Sequence, residues 1–529
     1  MTRPWPLGQI GLVPLLLSCS AENAYKASGD YYDTAGSYDE ADADADTDAD
    51  ADGDTSAEDG YEPETEDDFL KLAPSATSTY VFVANPSRDT VTRVAVPSLE
   101  VITAEVGSQP EVVHTTEDYT RAVTFNAGDD SVSIIDAETL EVRNVSVRPN
   151  FNAMEVTPDG KWAFCYHNQA AEDVIVNEED GVVSYSEVSI VHLDSGVHTV
   201  ATVGMNPKGI QFTEDSSMAV VVSDSYLGLI NLTGTTPVVD RVALSDDTVD
   251  PPEAEEVLLV PDGSYAFVRQ FGATDLQVVD LLTQTRSPVL VGDNPTDLDL
   301  TPDLTHAVAV ARGANQVWIY DLADPFAEAT VLDLPTGEVL GSVLMSPDNT
   351  QALLYSTASG LSRLTVWDLS SGDMSVVGLQ KPIAGLSITP NGNAAMIFHD
   401  ATNGDDVDPD SPFYNHYAIT LMDLDDLFAP ALRLDAEPIA YADAEDGEVG
   451  YFIMDGLPYL EKINYNDLNY TQVDLPSTPV HVGVLPDSRL AWVNQDHELG
   501  RMSFYDPDDG ENGSLQTITG FELNSGIEH

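Results

Sequence analysis

From Thr79 onward the chain is a succession of short apolar blocks. Tyr80–Ala84, Val132–Ile135, Met218–Val222 and Val317–Tyr320 are rich in Val, Ile, Tyr and Phe, and each is bounded by Asp, Asn, Gly or Pro. Runs of this length and composition predict β-strands, and no segment competes with apolar residues at helical spacing. The blocks recur in a fixed order every 41–56 residues: an apolar strand, a Pro-Asp-Gly-like turn, a second strand ending in a polar residue, and a third closing on Asp or Asn. The turn acids are Asp118, Asp159, Asp215, Asp262, Asp303, Asp348, Asn391, Asp446 and Asp487. The third strands close at Asp136, Asp194, Asn231, Asp280, Asp321, Asp368, Asp423, Asn464 and Asp506. Asp and Asn suit these places because their side chains accept hydrogen bonds from backbone N–H groups in a turn.

Four short strands per repeat predict an all-β fold, a single large β-propeller. Nine full units and one incomplete unit make about ten, with seven or eight blades as the alternative. The first repeat, 79–106, shows no innermost strand, and the chain ends with an apparent spare apolar run, Ile518–Leu523. Pairing the two, with Phe521 and Leu523 in the innermost strand of the first blade, would close the ring and cover an exposed edge.

Tyr80-Val81-Phe82-Val83-Ala84-Asn85, Asp130-Ser131-Val132-Ser133-Ile134-Ile135-Asp136 and the Gly-x-x-Pro entries at Gly107/Pro110, Gly204/Pro207 and Gly292/Pro295 resemble YVTN-type β-propeller repeats of microbial surface proteins. The resemblance runs from residue 79 to about 520 and is looser after Asp400. It implies a cell-surface propeller. Propeller lactonases and quinoprotein dehydrogenase subunits share this repeat type, but no residue set carries over from them.

Lys and Arg number 20 against 91 Asp and Glu, a net charge of −71. Such a surface repels phosphate backbones and anionic headgroups, so nucleic acid is not an expected partner. Leu16-Leu17-Ser18-Cys19 resembles the lipobox of a bacterial lipoprotein, with residues 1–18 as signal peptide and Cys19 as the lipidated residue. Ser20 after it points to the outer membrane, so the expected location is exported and lipid-anchored at the outer membrane or cell surface. Residues 21–70 carry a single base, Lys26, among 19 acids and almost no aliphatic residues; such a composition predicts a disordered tether over 19–75 ahead of a propeller over 76–529. Cys165, in the apolar run Trp162–Tyr166, reads as a buried, inert thiol.

Candidate chemistry lies in the acids. Asp48, Asp50 and Asp52, with Gly53 and Asp59, have the oxygen spacing of a calcium loop, although an Asp-Ala repeat generates the same spacing. Long insertions fall at 168–186, 245–254 and 400–416, and strand alternation puts all three on one face. The first carries Glu172, Asp173, Glu178, Glu179 and Asp180; the last carries Asp405, Asp406, Asp408 and Asp410, with Tyr414. Hard oxygen donors suit Ca²⁺, the one cofactor the composition suggests, while a solvated acidic loop is the simpler account of the same residues. His167 and His399 stand in one register before two of these loops and read as satisfied strand-end residues. No nucleophile elbow, zinc-protease helix or phosphate loop is present. Two readings follow: a non-catalytic binding scaffold for a protein or glycan partner on the insertion face, or an exported lactonase-like hydrolase with a metal held by acidic loops.

Overall fold

The computed structural model describes residues 74–169, 184–247, 252–270, 272–404, 407–497, 500–510 and 513–520. Cys19, residues 19–73 of the expected tether, Asp48, Asp50, Asp52, Asp59, Asp405, Asp406, Phe521 and Leu523 lie outside the described residues, as do the acids of the 168–186 insertion.

The described strands form ten four-stranded antiparallel sheets. Blades 1 to 10 span 75–105, 110–146, 153–202, 207–243, 254–290, 295–333, 342–378, 385–433, 438–474 and 479–519. Inner strands of successive blades touch one another around the axis, and outer strands face solvent. The protein is a ten-bladed β-propeller. The expectation of about ten units stands, and the seven- or eight-bladed alternative does not.

The Pro-Asp-Gly turn shows why the repeat is so regular. In blade 3 the Thr157 hydroxyl donates to Asp159 Oδ1 (2.8 Å) and accepts from the Trp162 N–H (3.1 Å), while Asp159 Oδ1 also accepts from the Lys161 N–H (3.1 Å). Gly160 follows at φ 64°, a left-handed conformation that glycine adopts without steric penalty. The same Thr–Asp contact recurs at Thr116–Asp118, Thr213–Asp215 and Thr301–Asp303. The acids closing the third strands work in the same way: Asp136 Oδ1 accepts from the N–H groups of Glu138 (3.1 Å) and Thr139 (2.8 Å).

Between blades the faces pack through apolar side chains. Val123, Phe125 and Ile134 of blade 2 meet Ala163, Cys165 and Val191 of blade 3. Burial raises the Cys165 thiol pKa far above its ordinary value, so it stays protonated and unreactive. Around the axis, polar side chains satisfy the neighbouring strand edge. Gln211 donates to the Val257 carbonyl (2.7 Å) and accepts from the Leu259 N–H (3.0 Å), and Asp297 Oδ2 accepts from the Val343 N–H (2.6 Å). Inner-strand N–H and C=O groups that no strand covers are thereby paired, as buried backbone must be.

The expected ring closure is corrected. Blade 1 has its own innermost strand, Ser75–Ala76, paired with Phe82 and Val81. The run Ser514–Thr519, which includes Ile518, is the outer strand of blade 10, paired along Arg501–Asp506. The physical reason is local: the hairpin from Asp506 to Ser514 closes a short loop, whereas spanning to blade 1 leaves blade 10 with three strands and a bare edge. Side-chain packing closes the ring instead, with Val81, Val83 and Val94 of blade 1 against Leu485, Trp492, Met502 and Phe504 of blade 10.

Candidate functional site: the insertion face of blade 8

A polar contact near the insertion face recurs in several blades. Where the second strand ends, its last side chain reaches the third residue of the third strand. Asn85 Nδ2 donates to Thr92 Oγ1 and Asn126 Nδ2 to Ser133 Oγ, both at 2.8 Å. Gln495 Nε2 does the same to Ser503 Oγ (2.6 Å). His399 occupies this position in blade 8. Its Nδ1–H donates to the Pro382 carbonyl (2.7 Å), which leaves Nε2 to accept from the Thr420 hydroxyl (2.8 Å). Burial first, and then the charge of Lys381, push its pKa down to about 4. His167, its counterpart in blade 3, donates from Nδ1 to the Asn150 carbonyl (3.1 Å) and meets the Tyr185 ring edge-on at 5.2 Å. Burial lowers its pKa as well. Both histidines are structural braces within their own blades.

The insertion that follows His399 is fastened at three levels. Lys381 is 0% exposed, and its ammonium donates to the carbonyl oxygens of Asp400 and His416, 2.6 Å each, at the two ends of the loop. Burial lowers the Lys381 pKa against the pull of the Asp400 carboxylate. Higher up, Asn403 Nδ2 donates to Asn415 Oδ1, and the Asn415 N–H returns a bond to Asn403 Oδ1 (2.9 Å). Sideways, Gly404 lies against blade 7 so closely that a Cβ there would sit 2.1 Å from the Gly360 carbonyl oxygen. Only glycine fits that approach. These contacts hold open a groove of about 590 Å³ lined by Ala401, Thr402, Asn403, Gly404, Val407, Pro409, Tyr414 and Asn415.

Of the acids expected to ligate calcium, Asp408 and Asp410 are exposed at the rim, and Asp408 Oδ1 accepts from the Asp410 N–H (2.9 Å). Among the described residues no three His, Cys, Asp or Glu side chains gather as a metal site. The described parts of the 245–254 link are held by cations: Lys208 Nζ bonds the Ala254 carbonyl (2.8 Å), and Arg286 pairs with Asp246 (2.8 Å). The acids of the blade 8 loop are legible in the sequence, and its clamp is not. The available signal was Lys381 itself, one of only 20 basic residues, placed directly before a proline at the mouth of a blade.

No family model matches the chain, and no curated protein matches its sequence. Solved structures do. A eukaryotic initiation factor is similar at 11% identity over 74% of this chain and 96% of its own, with a TM-score of 0.50. The dihydro-heme d1 dehydrogenase NirN, in complex with DHE, is similar at 13% identity over 68% and 74%, TM-score 0.42. Apo AztD from Citrobacter koseri is similar at 12% identity over 58% and 86%, TM-score 0.37. At these identities the likeness concerns the fold alone.

Proposed function

We propose that the chain is an exported, lipid-anchored propeller whose insertion face holds a protein or glycan partner without catalysis. The observation that carries this reading is the clamped loop of blade 8. A buried lysine, a paired asparagine bridge and a glycine contact fix an insertion that the fold itself does not need, and a groove opens beside it. Loops longer than the blade requires, held on a rigid ring, are where propellers and other scaffolds place recognition. Tyr414, Asn403, Asn415 and Thr402 offer a ring face, amides and a hydroxyl, groups suited to sugar hydroxyls or peptide backbone. The resemblance to surface-protein repeats and the lipobox at Cys19 support the location. A hydrolase reading would need carboxylates turned together toward a substrate. Asp297 and Asp299 instead accept from the N–H groups of Val343 and Met345 on the next blade (2.6 and 3.2 Å).

The test replaces 401–415 with a Gly-Ser linker and compares parent and variant against a panel of surface oligosaccharides and extracellular proteins. Binding by the parent, lost in a variant whose other blades melt unchanged, is expected. Equal binding by both, or none by the parent, would overturn the proposal.

A further inference from the structure

The contact between second-strand end and third strand changes character in blade 9. Alignment of strand registers puts Met454 where blades 1, 2 and 10 have Asn85, Asn126 and Gln495, and Glu461 where they have Thr92, Ser133 and Ser503. Glu461 is paired with Phe452 on one side and Gln472 on the other, so it shares their face, the one turned to blade 8. The residue is 3% exposed, and its Oε2 is buried without a hydrogen-bond partner. Phe398, Ile419 and Leu421 of blade 8 make up the opposing wall.

A second carboxylate adjoins it. Asp435 stands three residues before Pro438, the place taken by Gly107 and Gly204 before Pro110 and Pro207. Glycine is needed in those blades because the polar pair crowds the link: a Cβ on Gly107 would lie 2.3 Å from Ser131 Oγ and 2.5 Å from Asn126 Nδ2. Among the charged groups nearby, Asp435 is the one whose charge acts on Glu461. Glu437, further along the same link, is bonded by the Tyr417 hydroxyl (3.2 Å). Arg433 on the outer strand of blade 8 is exposed, Lys462 alternates to the opposite face, and Tyr470 on the outer strand of blade 9 feels the fields of both acids. A carboxylate without a cation or donor is far costlier to bury than a carboxylic acid.

We propose that Glu461 is a proton-operated latch on the seam between blades 8 and 9: protonated, it lets the seam close, and its ionisation loosens the 434–437 link. That link supports the base of the candidate loop, since the Leu434 N–H bonds the Tyr417 carbonyl (2.9 Å) and Glu437 accepts from the Tyr417 hydroxyl. Burial, reinforced by Asp435, lifts the Glu461 pKa to about 7, which places the transition near neutrality. Only the functional consequence, release of a partner as pH rises, rests on the binding reading above; the latch itself is measurable without any ligand.

The experiment is amide exchange by mass spectrometry over 434–437 and 400–417 at pH 6.0 and 8.5, corrected for intrinsic exchange rates. For a carboxyl near 7 when closed and about 4.5 when open, linkage predicts that opening rises about tenfold across this interval. Glu461→Gln should remove the rise, and Asp435→Asn should move it to lower pH. Equal rises in parent and Glu461→Gln, or no rise in the parent, would overturn the proposal. Should Glu461→Gln fail to fold, Glu461→Thr restores the residue that blades 1 and 8 carry and makes the same comparison. A partner that stays bound at pH 8.5 while the link opens would contradict the coupling alone.

Discussion

The ammonium of Lys381 and the carbonyl oxygen of His416 lie 2.6 Å apart in a part-buried contact that joins two distant stretches of chain. One side chain, from the link that enters blade 8, thereby sets where the largest described insertion on that face returns to the sheet. Charge-assisted hydrogen bonds of this kind are worth more than neutral ones, and removing the donor leaves two carbonyls to be satisfied.

Lys381→Met keeps the length and apolar stem of the side chain and removes both bonds. We expect a loss of roughly 1.5–3 kcal/mol, confined to blade 8, on the scale of hydrogen bonds from charged groups. Denaturant unfolding followed by a probe in blade 8 checks this; an unchanged midpoint would mean that the clamp is dispensable.

His399 gives a pH prediction of opposite sign to that of Glu461. Its folded pKa is lowered from 6.5 to about 4, so between these values the unfolded chain takes up a proton that the folded chain refuses. Stability from this group is present above pH 6.5 and drains away as pH falls through 4. His399→Gln, which imitates Gln495 of blade 10, should lose less stability than the parent between pH 7 and pH 4.5. Thermal melts of both proteins at these two pH values measure the difference.

The ten units were legible because their punctuation is chemical. A Thr–Asp turn such as Thr157–Asp159 and a closing acid such as Asp136 satisfy backbone N–H groups of the turns in one blade after another, so such residues recur while the strands between them vary. The third-strand ends were placed correctly except in blade 3, where the strand stops at His192 and Asp194 falls in the turn. Ser75–Ala76 was illegible because two residues carry no period. Without it, the run Ile518–Leu523 reads as spare, although Ile518 and Thr519 belong to the outer strand of blade 10. The insertion loop was visible as length and charge. Its clamp was not, because Lys381, Asp400 and His416 meet only in the folded ring. The oddity of Glu461 likewise emerges only when Met454 is set beside Asn126 and Gln495 in register.

The corrected closure predicts the effect of truncation. Deleting 514–529 removes the outer strand of blade 10 and bares the edge of Arg501–Asp506. It also strips Ile518 from the cluster shared with blade 1. Full burial of such a side chain contributes about 1.5–3 kcal/mol; Ile518 is half-buried and contributes less, and the ladder adds to it. We expect a clearly lower melting temperature and concentration-dependent association through the bared edge. A truncated protein that melts like the parent and sediments as a monomer would contradict this closure.

The anchor is tested at Cys19. Cys19→Ala should move the protein from the membrane fraction to the soluble fraction of the exporting cell. Unchanged membrane association would remove the lipoprotein reading.

On the proposed function, the blade 8 insertion is a firmly held element that presents a site. Amide exchange across 400–417 at neutral pH, in the parent and in Lys381→Met, tests it most directly. We predict protected amides in the parent, Asn415 among them, and exchange at least about tenfold faster in the variant, with blades 2 to 5 unchanged. Exchange in the parent at the rate of unstructured chain, or protection that survives the loss of Lys381, would contradict the account.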